Sequence, residues 1–123
     1  MEKQIIIITN QVDSAWVNAV TEALAPSGKI TVILEQDAQE IVQKQATDLI
    51  LIDASSTETD AAILIRPLHH LRPTTPIVVN THSPTWRRAR DAFMAGAVDY
   101  IRCSLDKEKI KLSYQPFLYT RHS

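Results

Sequence analysis

The chain has 123 residues, of which 45% are hydrophobic and 22% are charged, and only two are glycine. This composition predicts one folded domain with a substantial core, and it excludes a disordered or low-complexity chain. The formal net charge is −1, and the single cysteine, Cys103, excludes an internal disulfide and a cysteine-based structural zinc site.

Charge is distributed unevenly along the chain. Residues 1–65 carry ten acidic and three basic side chains, a net −7, whereas residues 66–123 carry four acidic and ten basic side chains, a net +6. A nucleic-acid interface needs a basic stripe with few acids in it, so this pattern favours a protein docking surface or an ordinary solvated face. We find no membrane span or secretory signal in the sequence, and the unpaired Cys103 favours a cytoplasmic setting.

Five short apolar runs predict five strands, at residues 4–9, 29–34, 48–53, 76–81 and 98–102. The first and third each contain four consecutive aliphatic residues, which is typical of strands buried on both faces, and the second should lie nearer the sheet edge. Helical patterns separate the strands along the whole length. The sequence therefore predicts an α/β fold with a parallel sheet, right-handed crossovers and helices on both faces.

The segments between the strands repeat their apolar residues at helical spacing. Asp13 or Ser14 can cap the first helix. Pro67 should kink the third helix or split it in two, Gly96 should end the fourth, and Pro116 should end the fifth. The apolar residues on this helical period, which should face inward, are Trp16, Val17, Val20, Leu24, Ala38, Ile41, Val42, Leu64, Ile65, Leu68, Leu71, Trp86, Ala89, Phe93, Met94, Ile110 and Tyr114.

No repeat or linker precedes Pro116. We therefore predict a single domain over residues 1–116, and residues 117–123 as a tail or the start of a linker to a further domain. Asp53 is the most informative residue of this domain, because it ends a strand of four consecutive aliphatic residues. Open α/β sheets bind ligands at the carboxyl ends of their strands, so Asp53 marks the expected site.

Three segments in order resemble a known family. Residues 48–53 are similar to a phosphoacceptor strand, residues 77–81 to a strand ending in a switch Thr or Ser, and residues 95–101 to an Ala-Gly-Ala-x-x-Tyr segment. Over residues 4 to 115 the chain thus resembles the CheY-like receiver domain of two-component response regulators. The resemblance implies a flavodoxin-like sheet of five parallel strands in the order 2-1-3-4-5, with about five helices on both faces.

The resemblance also implies roles for individual residues. Asp53 becomes the candidate phosphoacceptor, Thr81 the candidate phosphoryl-sensing hydroxyl, and Tyr100 the candidate rotating aromatic. With Thr9, Asn10 and Cys103 around it, we favour the alternative in which Asp53 is an acid that bonds nearby hydroxyls or backbone. Thr81 can be an ordinary strand-end residue, and Tyr100 can pack permanently inward.

The chain departs from the family's pattern at three charged positions. The acid pair that would hold Mg²⁺ is replaced by Thr9 and Asn10, and the lysine by Cys103, which Ser104 follows in place of proline. Arg102 should not substitute for the lysine, because neighbouring residues of a strand point to opposite faces. Uncharged groups supply only dipoles to Mg²⁺ and to a phosphoryl group, so the sequence predicts a pseudo-receiver with no cofactor.

Two alternatives remain open. The first is an active receiver that a histidine kinase phosphorylates on Asp53, with an unusual metal site. The second is a flavodoxin-like domain that binds a ligand or performs catalysis, although neither Gly28 nor Gly96 lies in a phosphate-binding loop. Our preferred interpretation is a signalling domain that is not an enzyme.

Basic residues of the predicted fourth helix, fifth strand and fifth helix suggest a docking face for an acidic protein. The resemblance implies that this face binds a histidine kinase or an output domain, or makes homodimers; we expect no membrane or nucleic-acid contact. The basic residues of this face are Arg87, Arg88, Arg90, Arg102, Lys107, Lys109 and Lys111.

Cys103 has two interpretations, a reactive thiol whose pKa Arg102 lowers or a small buried residue.

Overall fold

The computed structural model describes residues 2–119. Five parallel strands form one sheet in the order β2-β1-β3-β4-β5, which confirms the predicted topology. The strands are β1 (Lys3–Ile8), β2 (Gly28–Ile33), β3 (Leu49–Asp53), β4 (Ile77–Thr81) and β5 (Asp99–Arg102). The helices are α1 (Ala15–Leu24), α2 (Ala38–Lys44), preceded by a 3₁₀ turn at Glu35–Asp37, α3 (Ala61–Leu71), α4 (Trp86–Ala95) and α5 (Lys107–Leu118).

Two apolar layers cover the sheet because consecutive strand residues point to opposite faces. In β1, Ile6 and Ile8 face the layer formed by α2, α3 and α4, whereas Ile5 and Ile7 face the layer formed by α1 and α5. This arrangement explains the uninterrupted isoleucines, since a central strand has no solvated face. It also divides the residues at the strand ends between the two faces, which determines the layout of the site.

The helix ends follow local capping chemistry. The Ser14 side chain accepts a hydrogen bond from the Val17 N–H and begins α1, as one of the two predicted caps. Gly96 ends α4 with a φ of 127°, a left-handed conformation that favours glycine. A Cβ at this position would lie 2.7 Å from His69 Cγ, so close packing on α3 also requires glycine.

The structure corrects the prediction for Pro116 and one of the two alternatives for Pro67. α3 runs from Ala61 to Leu71 as one helix that contains Pro67, so the alternative of a split helix is wrong and that of a kink stays a prediction. α5 likewise contains Pro116 and continues to Leu118. Proline removes only one intrahelical hydrogen bond, and the buried Leu118 packs against the α1 layer beyond it. Residues 120–123 of the predicted tail lie outside the described part of the chain.

The inward face predicted for α4 is also wrong. Trp86, Phe93 and Met94 are 74%, 47% and 75% exposed, whereas Ala92 and Ala95 are buried. α4 packs mainly on α3, and this contact admits only small side chains. The largest apolar residues of α4 therefore face solvent.

Across residues 2–119, we find no helix with the length and apolar character that crossing a membrane requires.

Candidate functional site

The candidate site lies where β1, β3 and β4 end at one edge of the sheet. Asp53 is the last residue of β3 and is only 4% exposed. Thr9 follows β1, and Thr81 ends β4; both are buried. The parallel register places Asp53 beside Asn80, so three neighbouring strands deliver polar side chains to the same edge.

Hydroxyl groups surround the Asp53 carboxylate on the β1 side. Thr9 Oγ1 donates to Asp53 Oδ2 at 2.8 Å and lies 3.1 Å from Ser56 Oγ. The Gln11 N–H donates to Thr9 Oγ1 at 3.0 Å, and the Asn10 N–H donates to Ser56 Oγ at 2.9 Å. Thr9 is thus fixed between the loop after β1 and the carboxylate, and its hydroxyl already has a donor and an acceptor.

Asn10 turns toward Glu35, the first residue of the 3₁₀ turn that follows β2. Asn10 Nδ2 donates to Glu35 Oε1 at 2.8 Å, and the Glu35 N–H donates to Asn10 Oδ1 at 3.2 Å. The Glu35 carboxylate also accepts the N–H groups of Glu58 and Thr59, at 2.8 and 3.0 Å. Glu35 therefore connects the loops that follow β1, β2 and β3.

The pKa of Glu35 reflects this arrangement. Partial burial raises the pKa, but hydrogen bonds from Thr59, from the Glu58 N–H and from Asn10 outweigh it. The pKa of Glu35 is lower than its usual value of 4.5 as a result. Glu35 is thus an anion at neutral pH, and its charge is used to order loops.

On the other side of Asp53, a serine bridges two strand ends. Ser55 Oγ lies 3.3 Å from Thr81 Oγ1 and accepts the His82 N–H at 2.8 Å. Thr81 Oγ1 also accepts the Ser83 N–H at 3.2 Å. The loop after β3 is therefore bonded directly to the end of β4.

Tyr100 lies half-buried on the layer of α2, α3 and α4. Its hydroxyl accepts the Thr85 N–H at 3.4 Å, which holds the ring against the loop that precedes α4. Together with Thr81 and Arg88, Tyr100 lines a polar hollow of about 330 Å³ beside the loop after β3. The ring packs on that layer in this structure, and the role of Tyr100 as a rotating aromatic stays a prediction.

Cys103 and Arg102 point to opposite faces, as the alternation along a strand predicted. Cys103 packs on the layer of α1 and α5, while the Arg102 guanidinium donates to the His82 carbonyl at 3.0 Å. Burial raises the pKa of the Cys103 thiol to about 12, and the negative charge of Asp53 adds to the shift. This environment favours the interpretation of Cys103 as a small packed residue over that of a thiol whose pKa Arg102 lowers.

A buried polar pair lies one residue before Thr81. Asn80 is fully buried, and its Oδ1 accepts a hydrogen bond from the Tyr114 hydroxyl of α5. Asn80 Nδ2 donates to the Val78 carbonyl at 3.2 Å. Burial raises the pKa of Tyr114, so the phenol stays protonated and keeps donating. This pair joins the end of β4 to α5.

No protein-family model matches the chain. A crystal structure of a CheY-like response regulator receiver domain from Methanospirillum hungatei superimposes with a TM-score of 0.84, at 18% identity, over 96% of this chain and 94% of that one. The chain thus has the same fold as that receiver domain.

Two further relatives support the receiver fold. A response regulator from Burkholderia pseudomallei, solved with a phosphorylated aspartic acid, a calcium ion and citrate, has a TM-score of 0.79 at 21% identity, over 97% of this chain and 68% of that one. The transcriptional regulatory protein ZraR of Escherichia coli is 30% identical over 101 residues, which are 82% of this chain and 21% of ZraR. The chain thus spans about a fifth of the length of the curated relatives that it matches.

The geometry of this receiver fold separates the predicted site residues into groups. Asp53 and Thr9 are bonded to each other, and Thr81 lies next to them through Ser55. Asn10 is engaged with Glu35 instead. Sequence reasoning gave no role to a further set of residues that complete the site: Glu35, Ser55, Ser56 and Asn80.

A signal existed for part of this set. Asn80 interrupts an apolar strand, which requires a buried hydrogen-bonding partner. Ser55 and Ser56 directly follow Asp53, within a loop in which many polar residues could have played the same part. Glu35 carried no local signal, because only the strand order brings the end of β2 beside β1.

The residues at the receiver's metal positions do not fit Mg²⁺, which prefers anionic oxygens in octahedral order. The Thr9 hydroxyl is committed to Asp53, and both polar atoms of the Asn10 side chain are committed to Glu35. Within residues 2–119, no group of three or more His, Cys, Asp or Glu side chains is placed to hold a metal ion.

Proposed function

We propose that this receiver domain acts in two-component signalling as a pseudo-receiver, through protein–protein contact and with little or no Mg²⁺-dependent phosphorylation. One observation carries the proposal. The Asp53 carboxylate is bonded to the Thr9 hydroxyl at 2.8 Å, and uncharged side chains fill the positions where a receiver has its acid pair and its lysine.

The missing charges decide the energetics. Phosphoryl transfer depends on a metal ion and on fixed positive charge around the transferred group. Removing a single preorganised donor from such a site typically costs about 3 kcal/mol, or roughly 100-fold in rate. Because Thr9, Asn10 and Cys103 stand where a receiver has two acids and a lysine, three charged groups are missing. Phosphorylation of Asp53 should therefore be too slow to carry a signal.

Cys103 strengthens this argument through its protonation state. With a pKa raised to about 12, the thiol is neutral at physiological pH. It offers no charge to a phosphoryl group, and Arg102 is engaged with the His82 carbonyl. A phosphoryl group on Asp53 would therefore place its negative charge in a buried site that receives no counter-charge from β5.

The connection between Ser55 and Thr81 supports a signalling role without phosphate. In an active receiver the hydroxyl at the Thr81 position responds to the phosphoryl group. Here Ser55 Oγ lies next to that hydroxyl, and the Tyr100 hydroxyl is held by the Thr85 N–H. We infer that the domain keeps one arrangement of these elements and presents a constant surface to its partner.

The proposed partner is another signalling protein, a histidine kinase or an output domain, bound in the cytoplasm through α4, β5 and α5. Unpaired cations on this face favour an acidic partner, because Arg87, Arg88 and Lys109 form no ion pair with any residue in the described range. ZraR is a transcriptional regulatory protein of which this chain matches about a fifth. We propose that this domain likewise belongs to a larger regulator.

The alternative function is an active phosphoacceptor. Its support is the position of Asp53 at the end of β3 and the phosphorylated aspartic acid of the Burkholderia pseudomallei regulator. Incubation with acetyl phosphate and Mg²⁺, followed by intact-mass spectrometry, separates the two. The proposal expects no phosphate adduct in the native domain; an adduct that Asp53→Asn abolishes would establish the alternative.

A further inference from the structure

A second cavity lies at the opposite edge of the sheet, where the strands begin. This hollow of about 370 Å³, named here the basal hollow, is at the far end of β3 from Asp53. Its walls come from the starts of β1 and β3, the end of α3 with the loop that follows, the turn between α4 and β5, and the last turn of α5. Sites for small ligands usually measure about 300–1,000 Å³, so the basal hollow is large enough for a small one.

Two opposite charges line the basal hollow without pairing with each other. Lys3 begins β1, and Asp48 directly precedes β3. Neither side chain forms an ion pair with any residue in the range 2–119. Asp48 Oδ2 accepts the Gln4 N–H at 2.7 Å, and this bond fixes the direction of the carboxylate. The basal hollow therefore presents an ammonium and an oriented carboxylate, each without an opposite charge.

The alternation of side chains along the strands places these charges on opposite walls. Ile5 and Leu49 both pack on the layer of α1 and α5. Lys3, two residues before Ile5, shares this direction. The Asp48 N–H continues the ladder by donating to the Gln4 carbonyl at 2.8 Å, so Asp48, one residue before Leu49, takes the other direction. Lys3 thus belongs to the α5 side of the basal hollow, and Asp48 belongs to the α3 side.

Apart from His69, the rest of the lining carries no formal charge. Apolar side chains come from Phe117 of α5, from Pro76 just before β4 and from Val98 just before β5. The His69 ring lies against Gly96, where a Cβ would be 2.7 Å from His69 Cγ. An occupant of the basal hollow therefore needs an apolar body as well as charge.

We propose that the basal hollow binds a small zwitterion with an apolar body, such as an apolar α-amino acid. The carboxylate of the ligand contacts Lys3, its ammonium contacts Asp48, and its side chain packs on Phe117 and Val98. The flexible four-carbon stem of lysine lets the Lys3 ammonium follow the ligand's carboxylate across the cavity. A simple anion leaves Asp48 unpaired and a simple cation leaves Lys3 unpaired, whereas a zwitterion neutralises both. This binding site is separate from the Asp53 edge and goes beyond the function proposed above.

Three probes of one shape test the proposal on the whole chain. L-phenylalanine carries both charges, N-acetyl-L-phenylalanine lacks the ammonium, and L-phenylalaninamide lacks the carboxylate. ¹H–¹⁵N NMR follows the amides of Thr74, Gly96 and Val98, which line the basal hollow. We expect saturable shifts of these amides with L-phenylalanine, and an affinity at least about 10-fold weaker for each of the other two probes.

Matched variants assign the two charges. Lys3→Gln should weaken binding of L-phenylalanine about 10-fold and leave binding of L-phenylalaninamide unchanged. Asp48→Asn keeps an oxygen for the Gln4 N–H, and it should weaken L-phenylalanine about 10-fold while leaving N-acetyl-L-phenylalanine unchanged. Lys29→Gln is the control, because Lys29 is an exposed lysine of the neighbouring strand β2 that does not line the basal hollow. This control should bind L-phenylalanine as the native chain does.

Several results would overturn the proposal. They are the absence of a saturable shift up to about 10 mM L-phenylalanine, equal affinity for the three probes, and unchanged affinity in both Lys3→Gln and Asp48→Asn. Shifts confined to the Thr81 and His82 amides, at the Asp53 edge, would also overturn it. None of these results concerns phosphorylation of Asp53, so failure of this site and failure of the pseudo-receiver function are distinguishable.

Discussion

Ser55 Oγ lies 3.3 Å from Thr81 Oγ1 and accepts the His82 N–H, so a serine of the loop after β3 is bonded to the end of β4. Ser55→Ala removes this bridge. Because Ser55 is exposed and water can replace part of it, we expect a loss of only about 0.5–1.5 kcal/mol in the free energy of unfolding. Hydrogen exchange at the His82 amide is the direct measurement, and it should accelerate.

Ser83→Ala is the matched control for this variant. Ser83 is exposed in the same segment, and its side-chain hydroxyl takes no part in the Ser55 bridge. Its substitution should leave exchange at His82 unchanged. Unaltered exchange in Ser55→Ala would show that the bridge does not order the end of β4.

Thr9 is expected to contribute more, because it is fully buried. Thr9→Val preserves the shape of the side chain but leaves the Asp53 carboxylate without the donated hydrogen bond and the Gln11 N–H without an acceptor. We expect the free energy of unfolding in urea to fall by about 1–3 kcal/mol. Thr9→Ser keeps the hydroxyl and should lose clearly less; equal losses would mean that packing, and not the hydroxyl, matters here.

Asn10→Asp restores one acid of the receiver pattern but opposes Glu35. Its carboxylate would face Glu35 Oε1, which now accepts the Asn10 amide at 2.8 Å. Repulsion and the lost donor should destabilise the domain by about 1–3 kcal/mol at pH 7. Glu35→Gln should recover much of that loss in the double variant, so additivity of the two changes would contradict the described pair.

The lowered pKa of Glu35 predicts a pH dependence of stability. Since the folded pKa lies below the unfolded value near 4.5, the carboxylate contributes its full stability above the unfolded pKa. This contribution is lost as the pH falls through the folded pKa. The difference in unfolding free energy between the native chain and Glu35→Gln should therefore shrink on acidification below about pH 4.5; a constant difference would contradict the assignment.

Cys103 should react slowly in the native state. Its pKa of about 12, against a usual 9.0, leaves little thiolate at pH 8. Iodoacetamide should modify the folded chain far more slowly than the chain in urea, with mass spectrometry as the measurement. Comparable iodoacetamide reaction rates in the folded and unfolded chains would contradict this environment.

Because the folded pKa of Cys103 is raised, the neutral thiol favours the folded state at pH values below 9, and this contribution to stability is lost as the pH rises toward 12.

Tyr114→Phe tests the buried link between β4 and α5. The variant keeps the ring but leaves Asn80 Oδ1 buried without the hydroxyl that donates to it. We expect a loss of about 1–3 kcal/mol in the free energy of unfolding. Tyr119→Phe removes a hydroxyl that forms an exposed hydrogen bond with Ser27 Oγ at 2.6 Å and serves as the control, so similar losses in the two variants would contradict a special role for the buried Asn80 contact.

The sequence predicted the sheet because its signal was local. The unbroken isoleucines of β1 and the aliphatic run before Asp53 have one physical interpretation, a strand buried on both faces. Opposite directions for Arg102 and Cys103 followed from alternation alone, and the structure confirms them. Ser14, adjacent to the apolar period of α1, was similarly accessible as a cap.

The errors came from tertiary contacts. Hydrophobicity favoured an inward Trp86, but close packing of α4 on α3 selects the small Ala92 and Ala95 for the core. Pro116 was a stop signal that the burial of Leu118 overrides. The pairing of Asn10 with Glu35 joins residues 25 positions apart, and no local pattern encodes it. The sequence therefore did not determine which polar side chains of the site form hydrogen bonds with each other.

The central claim is that Asp53 occupies a receiver site that lacks the charge for phosphoryl chemistry. Beryllofluoride with Mg²⁺ imitates the phosphoryl group, and ¹H–¹⁵N NMR of the Ser55, Thr81 and His82 amides reports binding directly. A variant that carries Thr9→Asp, Asn10→Asp and Cys103→Lys supplies the comparison with a restored charge set. The account predicts no Mg²⁺-dependent shift of these amides in the native domain; a saturable shift that Asp53→Asn abolishes would contradict it.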